Sequence, residues 1–403
     1  MENLDEAIEP EIKHDEKKEK NNNEKTIYNL DTSNILGKGS FGIVYKGIQK
    51  KGDKSIAVAL KEIPQELVKD KLKIQALADE IYISSKLNEE DKDKKYLDFN
   101  GNENIAAFLD IADINDKKYL VYEFCNGGDL KRYLRYFKKF DEEMVQYIIR
   151  QVIRGLYHLH KRKIIHHDIK PENILVELCP GGDNPEETIK KVMTITDPKN
   201  RNLNKDKSIM KDEELKKILM KSKMKVTDFG LSRFKEEPNN QAEVSGSPLY
   251  IDPNLFVGDV DPLTVESEKV DIWALGVLAY ELFFYNLPFQ PFPPSIERLK
   301  ISLEKGEYVI DFNKNEKVSK QFIRFLNICL QRPQKLRPLT DELLDNEFYV
   351  VDSCYFDYLT IDNYKKAKNY PPKLKEKYLK VEGKITMNID DNRDLNAYFD
   401  EDE

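Results

Sequence analysis

The sequence predicts an α+β protein in which a mainly β part precedes a mainly α part. Two observations predict it. Between Tyr28 and Phe124 the apolar residues fall in short β-branched and aromatic runs separated by turn residues, and after Gly127-Gly128 they recur at helical spacing. A sheet-rich stretch followed by a run of helices is the α+β arrangement. A length of 403 residues fits two to three domains or one large two-lobed unit.

Residues 1 to about 26 are rich in Lys, Glu and Asn with few apolar side chains, so a disordered charged tail is expected. Strands are expected at Ile35-Leu36, Phe41 to Ile48 and Ile56 to Ile63, with Lys51-Gly52-Asp53 as the turn between the last two. Residues 66–87 carry Leu77, Ile81 and Leu87 on one stripe and predict a helix. The polar stretch Asn88 to Glu103 predicts a loop, and Ile105 to Ile111 and Tyr119 to Phe124 predict two more strands.

In the second part, Met144, Ile148, Val152, Leu156 and Leu159 mark a helix that opens on Asp141, Glu142 and Glu143, where the helix dipole favours negative charge. Ile272 to Phe284 is apolar on nearly every side and predicts a helix buried all round, and Phe322 to Leu330 predicts another. The expected division is a first lobe over 27–125, a second over 126–350 with an insertion at about 178–223, and a charged tail over 351–403 to which no fold is assigned.

Lys and Arg total 65 against 73 Asp and Glu, a net charge of −8, which argues against nucleic acid as a partner because phosphate contacts need a basic excess. The chain is 34% charged and 40% hydrophobic, enough to build a core. Cys125, Cys179, Cys329 and Cys354 form no CxxC pair, so neither a disulfide framework nor a zinc site is read from them. Glu281 and Asn286 interrupt the most apolar segment, so no stable membrane insertion is expected. With no signal-peptide pattern at the N-terminus, a reducing cytoplasmic location is expected, with access to the nucleus left open.

The first motif is GKGSFGIV, with Gly37, Gly39, Gly42 and Val44 in a G-x-G-x-x-G-x-V frame. The residues that follow are β-formers, so the glycines lie between strands rather than opening a dinucleotide-binding helix, and no GK[ST] end marks a P-loop. Glycine suits such a turn because backbone N–H groups then approach phosphate oxygens with no Cβ in the way. Downstream, IAVALKEI places Lys61 in an apolar strand. The plainer reading is a solvated lysine; the glycine frame and Glu80, 19 residues on in DEIYISSKL, favour an ion pair that holds the ammonium against phosphates.

The strongest signals are IIHHDIKPENILV and KVTDFGLSRF. With them the sequence resembles the eukaryotic protein kinase family over roughly residues 28–350, and the KPEN tetrad resembles its serine/threonine branch. The resemblance implies the two-lobed kinase fold, ATP and Mg²⁺ as cofactors, and proteins bearing Ser or Thr as substrates. It gives Asp168, Lys170 and Asn173 catalytic roles, and makes Asn173 and Asp228 the metal holders. Gly37, Gly39, Gly42, Val44, Ala59, Lys61, Glu80, Glu123, Cys125, Asp129 and Asp228 form the implied nucleotide-binding set. Within it, backbone groups of Glu123 and Cys125 meet adenine, Asp129 is placed for the ribose, and Tyr122 stands at the back of the pocket. Asp271 and Trp273 resemble the buried helix of the family's second lobe. FCNGGDLKRYL and GSPLYIDP resemble the autophagy-initiating, Unc-51-like kinases.

Several positions depart from the family pattern. His167 stands where most kinases carry an arginine that holds a phosphorylated loop, and a mostly neutral imidazole is a poor substitute. Glu243 lies near the usual phosphosite, so activity independent of loop phosphorylation is expected. Asn254 replaces the glutamate that pairs with Arg337, so Arg337 is expected to be partly solvated or to find another acid, Asp252 being the nearest. Between Asn173 and Asp228 the chain is far longer than the usual hairpin. The extra segment is expected to be a surface excursion with one short helix at Leu215, Ile218 and Leu219. His158, His160, His166 and His167 suggest a metal cluster, but no acid or cysteine completes one. The alternative functional reading is a pseudokinase scaffold; a small-molecule kinase fits GSPLY less well.

Overall fold

The computed structural model describes residues 26–39, 42–64, 71–88, 101–200, 209–235, 247, 249–253, 268–288, 318–331 and 333–344. The N-terminal tail, most of the 88–103 loop, Glu243, Asn254 and the C-terminal tail lie outside them. Strands β1 (Ile27–Gly39), β2 (Gly42–Lys51), β3 (Lys54–Glu62), β4 (Phe108–Ile114) and β5 (Lys117–Glu123) form one antiparallel five-stranded sheet in the order β1-β2-β3-β5-β4. Gly52, at φ 57°, supplies the left-handed residue of the β2–β3 turn. Helix α1 (Lys71–Leu87) packs Leu77 and Ile81 against Ala59, Leu120 and Tyr122 of the sheet. The strand expected at Ile105 begins only at Phe108; Ile105 instead bridges in parallel to Val226 and so ties the sheet to the helical part.

Helices α2 (Leu130–Phe137), α3 (Glu142–Lys161), α6 (Lys269–Phe284), α7 (Lys320–Cys329) and α8 (Thr340–Leu344) build the helical part. Asp129 and Asp141 cap α2 and α3, their carboxylates accepting from the N–H groups of Arg132 and Met144 at 2.9 Å each. α6 buries every residue from Val270 to Phe283, as its uniformly apolar sequence requires. It approaches α7 so closely that a Cβ on Gly276 would sit 2.8 Å from Cys329 Cβ. Two short ladders complete the part: β6 (Ile164–Ile165) with β9 (Arg233–Phe234), and β7 (Ile174–Glu177) with β8 (Lys223–Val226).

The segment between β7 and β8 differs from the sequence expectation. Its described residues carry two helices, α4 (Pro185–Ile195) and α5 (Asp212–Leu219), where one was expected. α4 was missed although it opens with an N-cap signal, Asn184 followed by Pro185 at the first helical position. Neither helix is a loose excursion: Val192, Ile195, Met210, Leu215, Ile218 and Leu219 all join the main core. Polar ties add to this, from Arg132 to the Met193 carbonyl (3.3 Å), Tyr136 to Asp212 (2.9 Å) and Lys216 to Asp141 (2.6 Å). The lysines and aspartates that dominate the sequence hide an apolar stripe sufficient to bury both helices.

Arg337 takes the second of its two expected courses. It is completely buried and forks onto both carboxylate oxygens of the equally buried Asp252. It also donates to the carbonyls of Gln331 (2.6 Å) and Lys269 (3.0 Å) and lies 4.9 Å from the Trp273 ring centre.

Two stability tests follow from these contacts. Asp252→Ala strands a buried guanidinium and should cost about 3–5 kcal/mol; urea denaturation would read this, and a loss under 1 kcal/mol would show the pair to be dispensable. Leu215→Ala should cost about 2–5 kcal/mol, whereas a helix resting loosely on the surface would lose almost nothing.

Candidate active site

The β2–β3–β5 register sets Lys61 opposite Val44 on one side and Leu120 on the other. From there its ammonium reaches Glu80 Oε1 of α1 at 2.5 Å and Asp228 Oδ1 at 3.2 Å. Burial works to lower the Lys61 pKa, but the two facing carboxylates outweigh it and the pKa rises, so the lysine stays charged. Glu80 is 3% exposed, whereas the Asp228 side chain is 37% exposed and keeps an oxygen available to solvent. Asp228 stands at φ 67°, a left-handed conformation uncommon for a non-glycine residue and characteristic of functional turns.

Across from this group, the turn after β6 brings Asp168, Lys170 and Asn173 together. Asp168 accepts from Lys170 Nζ at 2.6 Å, from Asn173 Nδ2 at 2.8 Å and from the Ser247 N–H at 3.0 Å. Burial pushes the Asp168 pKa up, but the bonds from Lys170 and Ser247 prevail and hold it below its ordinary value. Lys170 also donates to Ser247 Oγ at 2.6 Å. Asn173 spends its amide protons on Asp168, which leaves its carbonyl oxygen for a cation. The turn is anchored by Asp271, which accepts from the N–H groups of His166 (2.8 Å) and His167 (2.9 Å) and from His160 Nε2 (2.8 Å). The His166 ring then bonds the Thr227 carbonyl at 3.1 Å and packs edge-on to Phe229, which links the Asp168 turn to the Asp228 turn.

The remaining expected residues line the sheet side and the connection to α2. Gly37 faces open space, so the backbone there can approach a ligand, while a Cβ on Gly42 (φ 133°) would overlap the Glu62 carbonyl. Gly39 pairs with Gly42 at the tip of the β1–β2 hairpin, and Ala59 pairs with Tyr122 on neighbouring strands. The side chain of Glu123 turns away toward Lys225, whose ammonium meets both its oxygens at 2.8 Å. Among the described residues the backbone N–H and C=O of Cys125 make no hydrogen bond, so a donor and an acceptor stand open for the edge of a planar base. Asp129 has one oxygen occupied in capping α2, and its partly buried carboxyl has a raised pKa, mainly through burial. An open amide pair, a charged ammonium, a partly exposed carboxylate and an amide oxygen with no hydrogen bond among the described residues fit ATP and Mg²⁺ by the chemistry of the donors.

Two residues went unnoticed in the sequence. Ser247 carried a signal, since GSPLY was read as the segment that receives a substrate hydroxyl. Lys225 carried none, because a lysine in KMKV looks solvent-facing while the structure buries it between Glu123 and Glu177. His158 and His160, read as part of the helix end, bond the Leu87 carbonyl and Asp271. His167 stands at φ 68° as a half-buried residue, with its Nε2 shut off from solvent and unpartnered among the described residues. Burial lowers its pKa to about 4, outweighing the pull of Asp271; Arg233, His166 and His160 push the same way as burial.

Comparison with known proteins agrees with this geometry. The family model described as "Protein kinase domain" matches residues 30–349. Among curated proteins, human serine/threonine-protein kinase ULK1 is 27% identical over 80% of this chain and 25% of its own length. Calcium-dependent protein kinase 5 of Plasmodium falciparum is 27% identical over 80% of the chain and 45% of its own. Serine/threonine-protein kinase BCK1/SLK1/SSP31 of Saccharomyces cerevisiae is 25% identical over 80% and 18%. The chain thus spans less than half the length of each of these relatives. With the family model covering most of the sequence and a five-stranded sheet set before a helical part, the chain belongs to the protein kinase domain family.

Proposed function

We propose that this protein is an ATP- and Mg²⁺-dependent serine/threonine kinase that moves the γ-phosphoryl group of ATP to hydroxyls of protein substrates, with lobes over residues 27–125 and 126–350. The observation that carries the reading is that two hydrogen-bonded groups, Lys61 with Glu80 and Asp228, and Asp168 with Lys170 and Asn173, are tied to each other through Thr227, whose N–H donates to the Asn173 backbone carbonyl and whose carbonyl meets the His166 ring. Bound Mg²⁺ would neutralise the phosphate oxygens, held by the Asp228 carboxylate and the Asn173 carbonyl. Lys61, kept in place by Glu80, would meet the α- and β-phosphates. The glycines of the β1–β2 hairpin would cover them, and Glu123 and Cys125 would offer their backbone to adenine. Val44 and Ala59 would pack on its faces, and Asp129 would offer its uncapped oxygen to the ribose.

Asp168 would orient the substrate hydroxyl and take its proton; its lowered pKa keeps it ionised at neutral pH. Lys170 would offset charge on the group in transit, and Ser247 holds both in place. Little covalent work falls to the protein, so positioning and electrostatics carry the rate. A cytoplasmic signalling role of the autophagy-initiating kind is supported by FCNGGDLKRYL and GSPLYIDP together with the likeness to ULK1. The equal identity to a calcium-dependent kinase makes a substrate profile the deciding experiment.

Recombinant protein given labelled ATP, Mg²⁺ and a generic protein substrate should label serine or threonine. Asp168→Asn should lower kcat about 10²–10⁴-fold, and Asp228→Asn should abolish transfer; labelling that survives Asp228→Asn would defeat the assignment and favour a scaffold. Because His167 is neutral, phosphatase treatment should leave activity unchanged; loss of activity would tie it to loop phosphorylation. The same histidine, with a folded pKa near 4 against 6.5 unfolded, binds its proton only in the unfolded chain between those values. Stability should therefore fall as pH drops from about 6.5 to 4, by up to about 1.4 kcal/mol per pH unit from this group. His167→Gln should flatten that slope in denaturation curves, and an unchanged slope would refute the neutral form.

A further inference from the structure

Tyr122 does more than close the back of the nucleotide site. It lies on β5, with its ring in the cluster that joins α1 to the sheet, edge-on to Phe108. Its hydroxyl oxygen is 3.2 Å from Glu80 Oε1, the same oxygen that Lys61 meets at 2.5 Å, and 3.4 Å from Ser84 Oγ one turn further along α1. A phenol has one proton. With that proton given to the Glu80 carboxylate, the Ser84 hydroxyl donates to the tyrosine oxygen, and all three groups are satisfied in a pocket where Glu80 is 3%, Ser84 2% and Tyr122 9% exposed.

Lys61 is shared between Glu80 and Asp228, so Glu80 has only part of one ammonium. A buried carboxylate that lost this partner would be costly to keep in place. We propose that Tyr122 is a positioning residue: its hydroxyl, backed by Ser84, anchors the Glu80 carboxylate to the central sheet so that α1 stays where Glu80 can hold Lys61 while Lys61 engages phosphate. The inference rests on the kinase reading above, and deepens it by assigning the hydroxyl of this side chain a task that phenylalanine cannot perform. Burial, and then the charge of Glu80, raise the Tyr122 pKa well above its ordinary value, so the proton stays on the phenol throughout the neutral range.

Tyr122→Phe removes one oxygen and keeps the ring, so it tests the hydroxyl alone. The expected result is a fall of about ten- to a hundredfold in kcat/KM for ATP, the scale of one hydrogen bond to a charged group. In a Glu80→Gln background the same substitution should have little further effect, because the charge it serves is gone. Hydrogen exchange supplies a second measurement: backbone amides of residues 71–87 should exchange faster in Tyr122→Phe while those of α6 do not. A Tyr122→Phe enzyme with wild-type kcat/KM and unaltered exchange would overturn the inference. A loss of equal size in both backgrounds would also overturn it, since the hydroxyl would then act elsewhere. Absence of phosphoryl transfer in the wild-type protein would instead sink the kinase reading, and exchange in residues 71–87 would still decide whether the hydroxyl anchors α1.

Discussion

The Asp271 carboxylate, fully buried near the start of α6, is the fixed point from which Asp168 and its partners take their positions. It receives two backbone N–H groups from consecutive residues, His166 and His167, and a ring nitrogen from His160. Burial would raise its pKa, yet the bond to His160 and the neighbouring rings lower it, so the anion persists. Three donors on one buried anion leave the turn little freedom to shift, and the left-handed backbone of His167 is held there against its own preference. Asp168 follows directly, and its geometry with Lys170, Asn173 and Ser247 is inherited from that anchor.

The same logic joins the two halves of the chain. His166 reaches the Thr227 carbonyl, and Lys225, two residues earlier, grips Glu123 at the end of β5. The stretch from β8 to Asp228 thus carries, within a few residues, a tie to the end of β5, a tie to the Asp168 turn, and Asp228 itself. Ala106 N–H donating to the Val226 carbonyl at 2.9 Å adds a backbone link to the sheet. A change in the angle between sheet and helices would strain the Lys225–Glu123 and Ala106–Val226 links together.

Much of this was legible in the sequence because chemistry restricts residue type most severely where charge must be held in a small space. The KPEN and DFG strings announce tasks that few residues can perform, the glycine frame and the lysine in its apolar strand gain their meaning only in combination, and the structure sets Lys61 with Glu80 and Asp228, and Asp168 with Asn173. The partner of Arg337 was legible for the same reason: a buried guanidinium requires an acid, and Asp252 was at hand. What escaped was tertiary. α4 was hidden because charged residues outnumber the few apolar ones that bury it, and strand content at Ile105 was misjudged because that residue pairs with a distant strand. Lys225 looks like any surface lysine until the fold places two carboxylates beside it.

The β7–β8 ladder has one more consequence. Glu177 and Lys223 face each other in its register, so the long segment between them departs from and returns to a single spot on the sheet. Loop closure costs only slowly more as such a segment lengthens. The ladder therefore sets the spacing between Asn173 and Asp228 whatever the length of the segment, while α4 and α5 are held by their own burial in the main core. A long segment can thus be absorbed into the core without displacing the residues on either side of the ladder.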